Sequence, residues 1–391
     1  MTRTSSLVAV LCVLGVSSLP AQQIPIPLPL KLVEESAARD SNDASAQYYI
    51  ALARWNQKRY DDAERALRLA MMLDPKYAEP HLALAFLPYS RRPKLWKEDG
   101  DRVPEEWKTR IEESEREFRR AFFINPFVDL RIIGAITPRD QGMWRFEYPD
   151  VYKLFVKPYD DVFSGRYADA YHGFVQLEQN WGFTMRGPLP RDVYWFKTLC
   201  AARIGKITEA MRSMDKLLEE QERYEHRNRD KLIRRELRTN DYRYIKAILL
   251  QAHGEKEAAL ALFRAVLERD IGLYMAHVRM ATLYEEDKKW AEAIAERQNA
   301  VNANPDDAGL LIDLGVTAGK AGEFEVAMEA LSRAAEANPR LADAPFWTGM
   351  LHYSQGNHEE ARKAFTTFLA IAPSRWHGKI DSVRKLLEGM P

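Results

Sequence analysis

The chain has 391 residues, and its 57 basic and 57 acidic side chains cancel to a formal net charge of zero. That balance gives no electrostatic grip on a nucleic-acid backbone or an anionic membrane surface. Two cysteines, Cys12 and Cys200, are too few for a disulfide framework.

The first 21 residues read as an export signal. Arg3 supplies a positive start, and residues 7–16 form an apolar run of ten. Ten is too short to span a bilayer. Residues 17–21 are a cleavage region, with the cut after Ala21 or Ser18. The expected product is exported, to a periplasm or beyond, with no transmembrane segment. Cleavage removes Cys12, and Cys200 is expected to be a buried structural thiol rather than a reactive one.

Residues 22–43 follow as a Pro-rich linker or arm. The stretch 22–32 reads QQIPIPLPLKL, whose alternating prolines oppose a helix and favour an extended segment. It is either a tether or an arm that docks its Ile and Leu side chains.

Residues 44–126 hold two helix-turn-helix units. In the first, Tyr60 marks the turn. Asp61 and Asp62 then open a helix whose dipole favours them, and Ala63, Leu67 and Ala70 form its apolar stripe. In the second, helix 81–87 is expected to stop at Pro88. A basic and acidic insertion, 89–104, separates it from helix 105–123, which carries Phe118 and Ala121. Residues 127–150 fit no unit. Their turn cluster at 138–142 and Trp144, Phe146 and Tyr148 are expected in a loop packed on the helices.

Residues 151–239 hold two degenerate units. Helix 152–163 is expected to kink at Pro158. Ala170, Phe174 and Leu177 mark its partner; Trp195 and Leu199 lie in the next first helix, and Ala210, Met214 and Leu217 in the next second helix. The mixed-charge run 219–238 reads as a lengthened, solvated helix laced with pairs such as Glu222 and His226. The other reading, an acid-binding patch at Arg234, Arg235 and Arg238, is opposed by the carboxylates nearby.

Residues 240–373 keep strict time. Ala259, Ala293, Ala327 and Ala361 are each 34 residues apart, and so are Pro305, Pro339 and Pro373. A fixed period of this length means stacked supersecondary units. In one unit Leu311, Leu314, Gly315 and Ala318 are followed by Ala327, Leu331, Ala334 and Pro339. In the next, Thr348, Gly349 and His352 are followed by Ala361, Phe365, Phe368 and Pro373. In the one before, Met280, Ala281 and Tyr284 precede Ala293, Arg297, Ala300 and Pro305. Small residues let two helices cross closely, and proline ends the second helix. Residues 374–391 supply a capping helix through Ile380, Val383, Leu386 and Leu387.

This pattern resembles the tetratricopeptide repeat. The resemblance implies an all-α fold, a right-handed helical solenoid of eight helix-turn-helix repeats with two irregular insertions, each repeat touching only its neighbours. In similar proteins, three positions of the first helix line a concave groove. Carried over, they give Tyr48, Leu52, Trp55, Trp195, Tyr244, Ile248, Phe346, Met350 and Tyr353 as the partner-binding groove, with Ile312 and Val316 in the same register. The basic and asparagine pattern by which some family members clamp a terminal carboxylate is absent.

No sequence motif for catalysis, a metal or a cofactor is present, so none of these is expected. His352, Glu359 and Glu360 sit at packing and helix-start positions. The expected function is an exported scaffold, not an enzyme, that binds a protein or peptide partner in an apolar groove. The alternative is a carbohydrate- or cell-wall-binding module that uses Trp55, Trp195, Tyr244 and Tyr353 as stacking platforms.

Overall fold

The computed structural model describes residues 30–97, 102–136, 154, 156–180, 190–227 and 237–390. The export signal, the turn cluster at 138–142, the aromatics that follow it, and Arg234 and Arg235 lie outside the described residues. Among the described residues all regular structure is helical.

In chain order the helices are α1 (Leu30–Arg39), α2 (Ala44–Asn56), α3 (Tyr60–Leu73), α4 (Ala78–Arg91), α5 (Glu105–Ile124) and α6 (Arg131–Ile136). Next come α7 (Lys157–Phe163), α8 (Tyr167–Asn180), α9 (Pro190–Arg203), α10 (Ile207–Arg227), α11 (Thr239–His253) and α12 (Lys256–Leu267). The regular repeats follow as α13 (Tyr274–Glu286), α14 (Trp290–Ala303), α15 (Ala308–Ala321), α16 (Phe324–Ala337), α17 (Asp343–Ser354) and α18 (His358–Ile371), with α19 (His377–Gly389) last. Consecutive helices pack as pairs, α2 on α3, α9 on α10, α13 on α14, α15 on α16 and α17 on α18.

Local chemistry explains where the helices start and turn. The Asp307 carboxylate accepts from the backbone N–H groups of Gly309 and Leu310, capping α15, and Asp43 caps α2 through Ser45. Between α15 and α16 the chain reverses at Gly322 with φ 86°, a left-handed conformation that costs glycine little. The small residues of the repeat are spacers. A Cβ on Gly315 would meet Leu331 Cγ at 2.7 Å, and one on Gly349 would meet Phe365 Cδ1 at 2.6 Å. Both contacts are closer than side chains tolerate.

Several elements differ from expectation. The segment 22–43 is not all linker, because α1 starts directly after Pro29 and buries Val33 and Ala37. Proline just before a helix, with its fixed φ, does not oppose it. Helix α4 does not stop before Pro88 but runs through it to Arg91, and part of the insertion 89–104 is a short 3-10 helix, Pro93–Lys97. Pro158 lies in the first turn of α7, where its missing N–H leaves no helical bond unmade, rather than at a kink. Residues 131–136, placed in a loop by their lack of period, form α6. In the charged run, Glu222 accepts from Arg243 Nη2 at 2.6 Å.

The helices form two units. One is His81–Val266. Its core is aromatic: Phe122 meets Trp195 edge-on at 5.9 Å, and Tyr159, Phe174 and Phe196 pack within 6.0 Å of one another. The second unit joins residues 30–80 to residues 267–390. Leu311, Leu314 and Leu331 centre one of its clusters; Phe365, Phe368 and Val383 centre another. Each such buried side chain contributes roughly 2 kcal/mol of transfer free energy.

This second unit overturns the expectation that each repeat touches only its neighbours. The first repeat is bonded to the ends of the last two. Asn338 Nδ2 donates to the Met72 carbonyl at 2.5 Å, and Asn42 Nδ2 donates to the Ile371 carbonyl at 3.0 Å. Arg340 Nη2 donates to Asn42 Oδ1 at 2.9 Å. The backbone N–H and the hydroxyl of Ser374 both donate to Asp40 Oδ2, at 2.5 and 2.8 Å.

Candidate functional site

The nine groove residues expected from the repeat register divide between the units and are mostly interior. In the first unit, Trp195 is 1% exposed, set against Phe122 and Tyr242, and Ile248 is buried. Tyr244 is fully buried, and its hydroxyl donates to the Phe123 carbonyl at 2.8 Å. In the second unit, Tyr48, Leu52 and Trp55 are buried along α2, with Tyr48 edge-on to Tyr77 at 5.3 Å. Phe346 and Met350 pack partly buried on the last cluster, and Tyr353 is exposed beside His358. Trp55, Trp195 and Tyr244, named as stacking platforms for a sugar, thus present no open face.

The second unit does hold a cavity of about 510 Å³. One wall is the inner side of α15, with Gly309, Ile312, Asp313 and Val316. The floor comes from Leu341, Asp343 and Trp347, where α17 begins. Arg375 and Trp376 close one side, after α18. The remaining wall is the turn Leu73, Asp74, Pro75 and Lys76 that ends the first repeat. Ile312 and Val316, which the repeat register assigned to the expected groove, line this cavity together with the turn.

That turn is held by specific contacts. Lys76 Nζ pairs with Asp313 Oδ1 at 2.5 Å, and a Cβ on Gly309 would stand 3.4 Å from Pro75 Cβ. Asp74 Oδ1 accepts from the Lys76 N–H at 3.1 Å. Arg375 is shared, with Nε 3.5 Å from Asp43 Oδ1 and Nη2 3.9 Å from Asp74 Oδ2. Asp343 pairs with Lys379 Nζ at 3.0 Å, and that ammonium also lies over the Trp376 ring at 4.2 Å. Burial pushes the Asp74 carboxyl above its ordinary range; the Lys76 N–H and the Arg375 charge only partly oppose this, and the Asp343 charge adds to it. The cleft is amphipathic, not purely apolar.

Sequence reasoning missed Asp313, Asp343, Trp347, Arg375 and Trp376 because it followed one apolar stripe. Asp313 follows Ile312 directly and Trp347 follows Phe346, so neighbours of the stripe deserve the same scrutiny. Other polar groups are structural. Arg297 stands where neighbouring repeats have Leu331 and Phe365. It is 7% exposed, donating to Glu285 at 2.7 Å from Nη2 and at 3.0 Å from Nε. Cys200 is buried, and burial raises its thiol far above its ordinary value. Among the described residues, no group of three or more His, Cys, Asp or Glu could hold a metal, and no helix is long and apolar enough to cross a membrane.

A family model described as "Tetratricopeptide repeat" matches residues 30–78 and 312–375. No curated protein matches the chain. Among solved structures, the chain is similar to MamA from Desulfovibrio magneticus RS-1 at 21% identity, covering 46% of this chain and 94% of that one with a TM-score of 0.38. It is also similar to the C-terminal part of a TPR repeat-containing protein from Cytophaga hutchinsonii, at 14% identity, covering 60% and 94% respectively with a TM-score of 0.46. Residues 30–78 and 312–375 thus carry tetratricopeptide repeats, and the helices around them pack in consecutive pairs.

Proposed function

We propose that the chain is a protein-interaction scaffold that performs no covalent chemistry and receives an extended segment of a partner on the inner side of α15 and α17. The observation that supports this reading is the cavity that Ile312 and Val316 line together with the Leu73–Lys76 turn, which the Lys76–Asp313 pair ties to α15. A turn of polypeptide already fits there, with one carboxylate–ammonium pair and one proline contact. A cleft of this kind uses shape and a few placed polar groups, as peptide-recognition grooves do. Of the expected apolar groove, the reading keeps Phe346, Met350 and Tyr353 as an extension along α17 and sets aside the fully interior Trp195 and Tyr244.

The test is affinity capture from a cell-envelope extract, repeated with the captured species in pure form. Wild-type protein should retain a partner, and Trp347→Ala should weaken that binding without changing the far-ultraviolet circular dichroism. Retention unaltered by Trp347→Ala would remove the cleft from the reading.

We also infer export, on Arg3, the apolar run 7–16 and the small residues before position 22. Amino-terminal sequencing of protein recovered from the producing cell should begin after Ala21 or Ser18. An intact Met1 on the recovered protein would contradict it.

A further inference from the structure

We propose that the proline-rich arm, residues 22–29, docks in the cavity between α15, α17 and the Leu73–Lys76 turn of its own chain. This deepens the scaffold reading and rests on it, because it takes the cavity as a site for extended polypeptide.

Charge narrows the choice of occupant. Each carboxylate that lines the cavity already has a cation. Asp313 meets Lys76 at 2.5 Å, Asp343 meets Lys379 at 3.0 Å, and Arg375 stands 3.9 Å from Asp74. A charged ligand would have to break one of these pairs. What is left to cover is apolar: Ile312, Val316, Leu341 and the indole of Trp347. Val316 and Trp347 are only partly buried. The volume of about 510 Å³ takes more than one side chain.

The arm has the matching chemistry. Residues 22–29 read QQIPIPLP and carry no charged side chain. Ile24, Ile26 and Leu28 alternate with Pro25, Pro27 and Pro29. The prolines fix φ and remove every second N–H, so the arm favours an extended form with few donors to satisfy inside a cleft. Proline-rich strands dock in aromatic-lined grooves because they lose little chain entropy on binding.

Reach is sufficient. The arm joins α1 at Leu30, and the far end of α1 is anchored at the cavity rim. Asp40 accepts from the Ser374 N–H and hydroxyl, and Asp43 lies 3.5 Å from the cavity residue Arg375. The ten residues of α1 are about 15 Å long. Eight extended residues span about 25 Å, enough to run back along α1 into the cavity. Tethering presents the arm at roughly 1 mM, so an intrinsic Kd of about 0.1 mM keeps the cleft about nine-tenths filled. A partner's segment must then displace it.

The experiment uses the full protein. An alkyl-diazirine amino acid replaces Ile26, and its photo-cross-links are mapped by mass spectrometry in a mixture of isotopically heavy and light chains. The links should fall on the cavity, at Val316, Trp347 or their neighbours, within one chain. In parallel, the free peptide QQIPIPLP is titrated by calorimetry. It should bind the variant Ile24→Ser, Ile26→Ser, Leu28→Ser about tenfold more tightly than wild type, whose own arm competes. Adding Trp347→Ala to that variant should weaken peptide binding at least about tenfold.

Cross-links that miss the cavity would overturn this inference. So would links between heavy and light chains, which would give the cleft to a second copy. Equal peptide affinity in wild type and the serine variant would overturn it too. Each of these results leaves the scaffold reading standing, and failure of the capture experiment would bring down that reading instead.

Discussion

Lys288 adopts φ 57° at the turn between α13 and α14, where the next two repeats place Gly322 and Gly356. A side chain in the left-handed region crowds its own carbonyl, at a cost of roughly 1–2 kcal/mol, of which glycine's extra chain entropy gives part back. Lys288→Gly should therefore stabilise the protein by about 0.5–1 kcal/mol, read as a higher urea midpoint. An unchanged or lower midpoint would mean the lysine is relieved in some other way. Asp192 offers a test by pH. It is 6% exposed in the first turn of α9, its Oδ2 accepts no hydrogen bond, and Arg191 Nε stands 3.9 Å from Oδ1. Burial pushes its carboxyl from 3.8 up to about 6, with Arg191 opposing. The folded state then keeps a proton that the unfolded chain has released across that window. Stability falls as pH rises through it and stays lowered above pH 6. Asp192→Asn should gain about 2 kcal/mol at pH 7.5 and almost nothing near pH 3.5, measured by denaturant unfolding. Equal gains at both pH values would show that the charge is not the cause.

Single elements carry the repeat register. Gly315→Leu places a branched side chain where even a Cβ would meet Leu331 at 2.7 Å, so α15 and α16 must separate. The expected loss is about 3 kcal/mol, seen as a large drop in melting temperature, and an unchanged one would refute the close crossing. This part of the structure was legible in the sequence. Small residues 34 apart, apolar partners beside them and a closing proline describe one helix pair, and all of those signals lie within a single repeat. Arg297 was visible as an oddity in the pattern but not as a solution, since its partner Glu285 lies on the preceding helix. Elements without period were misread where proline chemistry is positional. Pro29 and Pro158 sit at or just before helix starts, which composition alone cannot separate from helix-breaking sites.

At the scale of the molecule, what was illegible is the return of the first repeat to the last two. Asn42, Asn338 and Ser374 are ordinary turn residues by type, and nothing local says that their partners lie 329, 266 and 334 positions away. The same return explains why the candidate cleft was missed, because one of its walls comes from residues 73–76. It also changes what the groove is. The α15 residues Gly309 and Asp313 already meet Pro75 and Lys76 of this turn, with the cavity beside them. A partner either uses the cavity left beside that turn or displaces it. The measurement that tests this account most directly is zero-length carbodiimide cross-linking with mass spectrometry. Lys76 Nζ and Asp313 Oδ1 are 2.5 Å apart across 237 positions of sequence, whereas Lys379 and Asp343, 3.0 Å apart, give a local control. The account predicts that both amide links form within one chain in dilute protein. Recovery of the Lys379–Asp343 link without the Lys76–Asp313 link would contradict it.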